Sequence, residues 1–166
     1  RRPTQWVGLK FFNVYGPNEY HKGRMVSVVK VKHDELRAGQ APRLFRAAVP
    51  GLADGAQARD FIWIDDVVDV LLWLLDTPAV NGLFNLGTGV ARSYRDLAHA
   101  VCDAAGVARA VTFIDMPEAL RGQYQSFTEA PMARLRAAGY VRPFTSLEEG
   151  VRRYVQDYLQ AADPYR

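Results

Sequence analysis

Three short apolar runs, each closed by turn residues and followed by a segment of helical periodicity, constrain this chain more than any other feature. Trp6 to Phe12 is rich in β-branched and aromatic residues and stops at Tyr15-Gly16-Pro17. Asp60 to Ile64 leads into Val67, Val70, Leu71, Leu74 and Leu75, an apolar helix face that Asp65 or Asp66 is expected to cap and Thr77-Pro78 to stop. Leu83 to Leu86 runs into Gly87-Thr88-Gly89, after which Ser93 is expected to cap a helix reaching about Ala105 and closed by Gly106. Between the first two runs, Met25, Val28, Val29 and Leu36 share a predicted helical face that ends at Gly39, and Arg43-Leu44-Phe45 is a short strand. Residues 47–58, rich in Ala and Gly, read as a surface loop. Beyond residue 110 we expect a strand at Val111 to Ile114, an irregular stretch from Pro117 to Thr128, and helices near 131–138 and 147–160 separated by Gly139. Strands alternating with helices at this spacing predict an α/β fold with a parallel sheet.

The 166 residues suit one compact domain. Hydrophobic residues at 49% and charged residues at 23% argue against disorder. The 21 basic residues outnumber the 18 acidic ones but are scattered, which points to phosphate-bearing small molecules rather than nucleic acid. A single cysteine, Cys102, permits no intrachain disulfide and suggests a reducing compartment. The most apolar stretch, Val67 to Leu75, is broken by Asp69 and falls short of the roughly 20 residues that cross a bilayer. The opening Arg1-Arg2-Pro3-Thr4 lacks the apolar core of a secretory signal, so we expect a cytoplasmic protein with no membrane partner. His33 and His99 have no partner at metal-ligand spacing and read as structural, and no metal site is expected. Gly87-Thr88-Gly89 is the nearest approach to a dinucleotide fingerprint. It lacks the third glycine and the acidic residue about 20 positions on, so this chain alone does not assemble a cofactor site.

Three segments carry a resemblance: Phe11-Phe12-Asn13-Val14-Tyr15-Gly16-Pro17, Arg59-Asp60-Phe61-Ile62-Trp63-Ile64-Asp65-Asp66-Val67 and Phe84-Asn85-Leu86-Gly87-Thr88-Gly89. In order and spacing they resemble the extended short-chain dehydrogenase/reductases that act on nucleotide sugars. His21-Lys22-Gly23-Arg24-Met25, Arg121 to Thr128 and Leu135 to Tyr140 resemble the ADP-L-glycero-D-manno-heptose 6-epimerase branch of that family. The resemblance implies the last strands of a doubly wound, Rossmann-like parallel sheet (1–16 and 83–106) and a smaller α/β substrate-binding domain (17–82 and 107–166). In such enzymes the amino-terminal half supplies the glycine-rich phosphate loop and a Tyr-x-x-x-Lys pair, neither of which occurs here. The chain is therefore expected to be the carboxy-terminal half of an epimerase, inactive alone, weak in NADP binding and prone to self-association through an unpaired sheet edge.

The implied chemistry is inversion at C6 of the heptose of ADP-D-glycero-D-manno-heptose, for lipopolysaccharide core biosynthesis. A carbinol C–H is too weakly acidic for direct proton removal, so the route is transient oxidation by NADP, with NAD as the alternative, and return of hydride to the other face. Two acid/base groups are needed, one for each orientation of the sugar. The resemblance assigns one to Lys22, which also borders the cofactor. A lysine near its ordinary pKa of about 10.4 needs its ammonium destabilised by roughly 4 to 5 kcal/mol to be half neutral at pH 7.

Arg59 is implied as the ligand of the substrate diphosphate, because a guanidinium makes paired charge-assisted bonds to phosphate. Asn13 is implied to touch the sugar, Val14 to lie near the nicotinamide, Phe45 to flank the adenine, and Arg24 and Tyr124 to reach the substrate. From residue type alone other readings stand. Lys22 can be a solvated loop lysine, Arg59 a surface arginine paired with Asp60 or Asp54, and Asn13 a turn former. Tyr124 and Phe45 can be core residues. Arg24 stands where some relatives carry a small hydroxyl residue, Val31 where some carry histidine, and the loop after Phe45 lacks their Glu-Gly-Ser. Relatives assemble as homo-oligomers, which is the expectation here. The competing functions are another nucleotide-sugar epimerase or dehydratase, such as a UDP-hexose 4-epimerase, and a non-catalytic nucleotide-sugar-binding module.

Overall fold

The computed structural model describes residues 3–122 and 124–163. Arg1, Arg2 and Gln123, which belong to segments read above, lie outside them. Strand β1 (Val7–Phe11) pairs in parallel with β6 (Gly82–Leu86), Val7 opposite Gly82 and Phe11 opposite Leu86. The chain bends at Phe12 and resumes as β2 (Asn13–Tyr15), parallel to β5 (Phe61–Trp63). A third parallel pair joins β3 (Arg43–Phe45) to β8 (Thr112–Ile114). The remaining pair, β4 (Ala58–Arg59) with β7 (Arg92–Ser93), is antiparallel. Parallel pairing demands crossover helices, and the chain supplies α1 (Val28–Arg37), α2 (Ile64–Asp76) and α3 (Tyr94–Ala104). Three shorter helices follow: α4 (Glu118–Arg121), α5 (Ala133–Ala137) and α6 (Leu147–Arg153), the last running on into a π-helical turn, Tyr154–Leu159. The mixed α/β architecture with parallel strands agrees with the sequence expectation.

Several local expectations need correction. Met25 is 82% exposed and belongs to a 3-10 turn, Tyr20–Met25, because Ser27 caps α1 two residues later and starts the helical face afresh. Helix α2 begins at Ile64 with Trp63 at its N-cap, so neither Asp65 nor Asp66 caps it. Asp65 instead accepts from the Trp63 indole at 3.0 Å, and Asp66 accepts from the amide and hydroxyl of Thr145 at 2.8 and 2.9 Å. Only Val67, Val70 and Leu74 of the predicted α2 face are buried; the helix is rotated so that Leu71 and Leu75 stand exposed. The stretch from Pro117 to Thr128 is irregular apart from α4.

Two apolar clusters flank the strands. One joins Tyr15, Phe61 and Trp63 to Leu97 and Val101 of α3 and to Val151, Tyr154 and Val155 at the carboxy-terminal end. The other joins Ile62, Phe84 and Leu86 to α2 and to Leu135 and Tyr140. Alternate residues of β5 thus serve opposite layers, as the two-residue period of a strand requires. Helix α6 approaches the strands closely at Gly150, where an added Cβ would meet the Tyr15 hydroxyl and, at 3.4 Å, the Trp63 Cβ.

Gly150→Ala is therefore expected to lower stability by about 1–3 kcal/mol through overpacking, read as a lower midpoint in urea unfolding. A second expectation concerns the phenols of Tyr15, Tyr140 and Tyr154, each pushed above the ordinary tyrosine value chiefly by burial, with Asp66, Asp69 and Glu19 respectively the leading carboxylates that reinforce the shift. Groups whose folded pKa is raised favour the fold fully below their unfolded value, near 10, and that contribution is lost as pH rises above it. Their phenolate absorbance should appear only together with loss of the folded circular dichroism signal.

Candidate functional site

A cleft of about 750 Å³ opens between the 3-10 turn, α1, β3 and the start of α3, a volume typical of small-molecule sites. Arg24 reaches it from the turn, Val31 and Lys32 from α1, Phe45 from β3, Tyr94 from α3 and Tyr124 from the segment after α4. Phe45 and Tyr124 meet edge to face with ring centroids 6.0 Å apart. One edge of β3 is held by side chains. Glu35, buried on α1, accepts from the Arg43 amide at 3.0 Å and the Arg43 Nε at 3.1 Å. Lys32, also buried, donates to Glu35 at 3.1 Å and to the Arg43 carbonyl. The pair occupies both backbone groups of Arg43, two residues before Phe45. Burial pushes the Lys32 ammonium down, against the pull of Glu35.

Arg59 is 8% exposed and lies behind the cleft wall. Its Nη1 donates to the Ala58 carbonyl at 2.8 Å and its Nη2 to the Gln125 carbonyl. The guanidinium carbon sits 5.1 Å from the Tyr124 ring centroid and 5.7 Å from that of Tyr94. The rings are 6.4 Å apart, so both lie on the same side of the cation. Burial raises the Tyr124 phenol above its ordinary range, Tyr94 adds to the shift, and Arg59 opposes it. Arg59 is no surface residue paired with a neighbouring aspartate. Asp54 binds Arg46 and the Ala47 amide, and Asp60 is fully committed elsewhere.

Asp60 is wholly buried and accepts from the Thr88 amide at 2.7 Å, the Thr88 hydroxyl at 2.7 Å, the Gly89 amide at 2.8 Å and the Ala130 amide at 3.0 Å. Two amides that a phosphate loop would offer to a ligand are thereby already satisfied by a carboxylate. Gly87 lets the loop close, since a Cβ there would stand 2.6 Å from Asp60 Oδ2.

Of the residues expected from sequence, Arg24, Phe45 and Tyr124 come together on the cleft, with Arg59 just behind. Asn13 is exposed and Val14 half-buried on β2, and neither they nor Lys22 are among the residues lining it. Lys22 is about half exposed in its side chain, 43%, with its ammonium 3.8 Å from Glu19. Glu19 is itself buried and accepts from the Ser27 amide at 2.9 Å, the Ser27 hydroxyl and the Tyr154 hydroxyl at 2.8 Å, so it anchors the turn that carries Lys22. Sequence reasoning passed over Glu19, Lys32, Glu35, Asp60 and Tyr94. Their partners are too dispersed along the chain for spacing to reveal them, although the adjacency of Asp60 to Arg59 was a visible signal.

Residues 3–87 match the NAD dependent epimerase/dehydratase family. The chain belongs to this family. It is 55% identical over 159 residues to an ADP-L-glycero-D-manno-heptose-6-epimerase of Nitratidesulfovibrio vulgaris, covering 96% of this chain and 49% of that protein. Among solved structures it resembles the Helicobacter pylori ADP-L-glycero-D-manno-heptose-6-epimerase (TM-score 0.71, 27% identity, 92% of this chain and 44% of that one). It also resembles the Thermus thermophilus UDP-glucose 4-epimerase in complex with NAD (TM-score 0.72, 28% identity, 95% and 48%). The chain spans about half the length of the curated relatives it matches. A dinucleotide's phosphates find no cradle in the Gly87-Thr88-Gly89 loop, because Asp60 holds its amides.

Asp60→Asn places an amide NH2 against donors that now face a carboxylate oxygen. It should cost about 2 kcal/mol or more of stability, measured as a lower denaturant midpoint.

Proposed function

We propose that this chain carries the substrate side of an ADP-heptose 6-epimerase, which converts ADP-D-glycero-D-manno-heptose to its L-glycero epimer. The observation that carries the reading is the gathering of Arg24, Phe45 and Tyr124 on one cleft with Arg59 directly behind, in a chain 55% identical to an enzyme of that name. Phe45 offers a ring to the adenine, and Arg24 and Arg59 offer guanidinium groups to the diphosphate. Tyr124 adjoins both Phe45 and Arg59. Asn13 orients the sugar from just past the carboxyl end of β1, a parallel strand, and the carboxyl ends of such strands are where ligands of open α/β sheets gather. Lys22 Nζ exchanges the proton of the C6 hydroxyl in one orientation of the sugar, and the tyrosine of the Tyr-x-x-x-Lys pair in the amino-terminal half does so in the other. Val14 and Lys22 border the nicotinamide. The bound cofactor, NADP with NAD as the alternative, supplies the acceptor and donor of hydride at C6.

In this reading the enzyme acts in the cytoplasm as a homo-oligomer and serves lipopolysaccharide core synthesis. It is tested by turnover in the whole protein. ADP-D-glycero-D-manno-heptose should be inverted and UDP-galactose left untouched; the opposite preference would replace this reading with a UDP-hexose 4-epimerase. In the same assay Lys22→Met should lower kcat by about 100-fold or more, the scale of a lost acid/base group, while ADP still binds.

A further inference from the structure

Tyr94, a cleft-lining residue that no family motif singles out, stands with its ring centroid 5.7 Å from the Arg59 guanidinium carbon. Tyr94 opens α3 directly after β7, and β7 pairs with β4, the strand that carries Arg59, in the register Arg59 opposite Arg92 and Ala58 opposite Ser93. Its amide donates to the Gln57 carbonyl at 2.9 Å, and the next amide, Arg95, donates to the Gly55 carbonyl at 3.0 Å. Ser93 and Asp96 close a reciprocal capping box around it, at 3.0 and 3.1 Å. The ring is wedged edge-on against buried Phe61, with centroids 5.6 Å apart. The backbone around Tyr94 is thus tied to β4 through β7 and to the segment that leads into β4 through the amides of Tyr94 and Arg95.

Tyr124, the other ring over Arg59, is held differently. It belongs to no regular element, and its amide bonds only to the last turn before it, at Leu120. Of the two aromatic faces presented to the guanidinium, that of Tyr94 is therefore the one built into the framework. Two Arg59 nitrogens are taken up by the carbonyls of Ala58 and Gln125. Those bonds hold the planar group, and both rings lie within cation–π distance of its carbon.

We propose that Tyr94 is a positioning residue for diphosphate recognition. Its ring holds the Arg59 guanidinium in the orientation that receives the phosphates, and its own contribution to adenosine binding is minor. This rests on the assignment of Arg59 to the diphosphate, and the two ideas are separable by experiment. Binding of ADP and of adenosine to the whole protein is measured by calorimetry for wild type, Tyr94→Phe, Tyr94→Leu, Arg59→Ala and the double variant Tyr94→Leu/Arg59→Ala. Tyr94→Leu should weaken ADP by roughly fivefold to tenfold, the scale of one desolvated cation–π contact, and leave adenosine within about twofold.

Tyr94→Phe, which keeps the ring and loses the phenol, should bind ADP like the wild type. In the Arg59→Ala background the leucine change should have no further effect on ADP, because the group it positions is gone. Equal weakening of ADP and adenosine by Tyr94→Leu would overturn the proposal in favour of a purely structural residue, as would a Tyr94→Phe variant as defective as Tyr94→Leu. If Arg59→Ala leaves the ADP-to-adenosine ratio unchanged, the diphosphate assignment falls first and the positioning role with it. Should Arg59→Ala change that ratio and Tyr94→Leu not, only the positioning role is lost.

Discussion

The Asp60 carboxylate is the interaction on which the rest of this structure depends. A buried anion is tolerable only when its lone pairs are filled, and here main-chain amides from two separate segments and one hydroxyl fill them. Those donors come from the turn after β6 and from the approach to α5. One side chain at the start of β5 therefore fastens the end of a neighbouring strand and a distant loop to the same point. The same arrangement orients β4, since Arg59 precedes Asp60, and so it locates the cation behind the cleft. Scaffold and binding site meet at two adjacent residues.

Charge placement divides the molecule by function. The buried ionic groups at the cleft are bound to backbone rather than only to one another: Lys32 and Glu35 to both main-chain groups of Arg43, Arg59 to two carbonyls, Glu19 to the Ser27 amide. Paired ions of this kind add little net stability over apolar packing, but they permit few alternative arrangements. What they secure is the position of β3 and of the 3-10 turn, two short elements with little apolar surface of their own. The apolar energy comes from elsewhere, from the two clusters on either side of β5.

Much of the fold was legible in the sequence. The strands at Val7–Phe11, Arg43–Phe45 and Gly82–Leu86 follow from short apolar runs bounded by turn residues, and α3 follows from the Ser93 cap and the closing Gly106. What could not be read was rotation and partnership. Periodicity points Leu71 and Leu75 of α2 inward with Val67, Val70 and Leu74, yet they stand exposed, lining an open apolar hollow beside Val7 and Leu9. At the site, the motif residues were named from resemblance; Arg24, Phe45 and Tyr124 line one cleft with Arg59 behind its wall, whereas Asn13, Val14 and Lys22 do not line it. Tyr94, Lys32 and Glu35 carried no such label. Their roles arise from pairings across a strand register and a helix face, which no linear pattern encodes.

The bond from Tyr154 to Glu19 joins residues 135 positions apart in sequence. The turn that bears Lys22 is thereby clasped by the π-helical turn Tyr154–Leu159, none of whose residues lines the cleft. Trimming the chain back through Tyr154, even with every cleft residue retained, would unhook that clasp. The π-helical turn after α6 is in this sense a remote brace for the turn that carries Lys22.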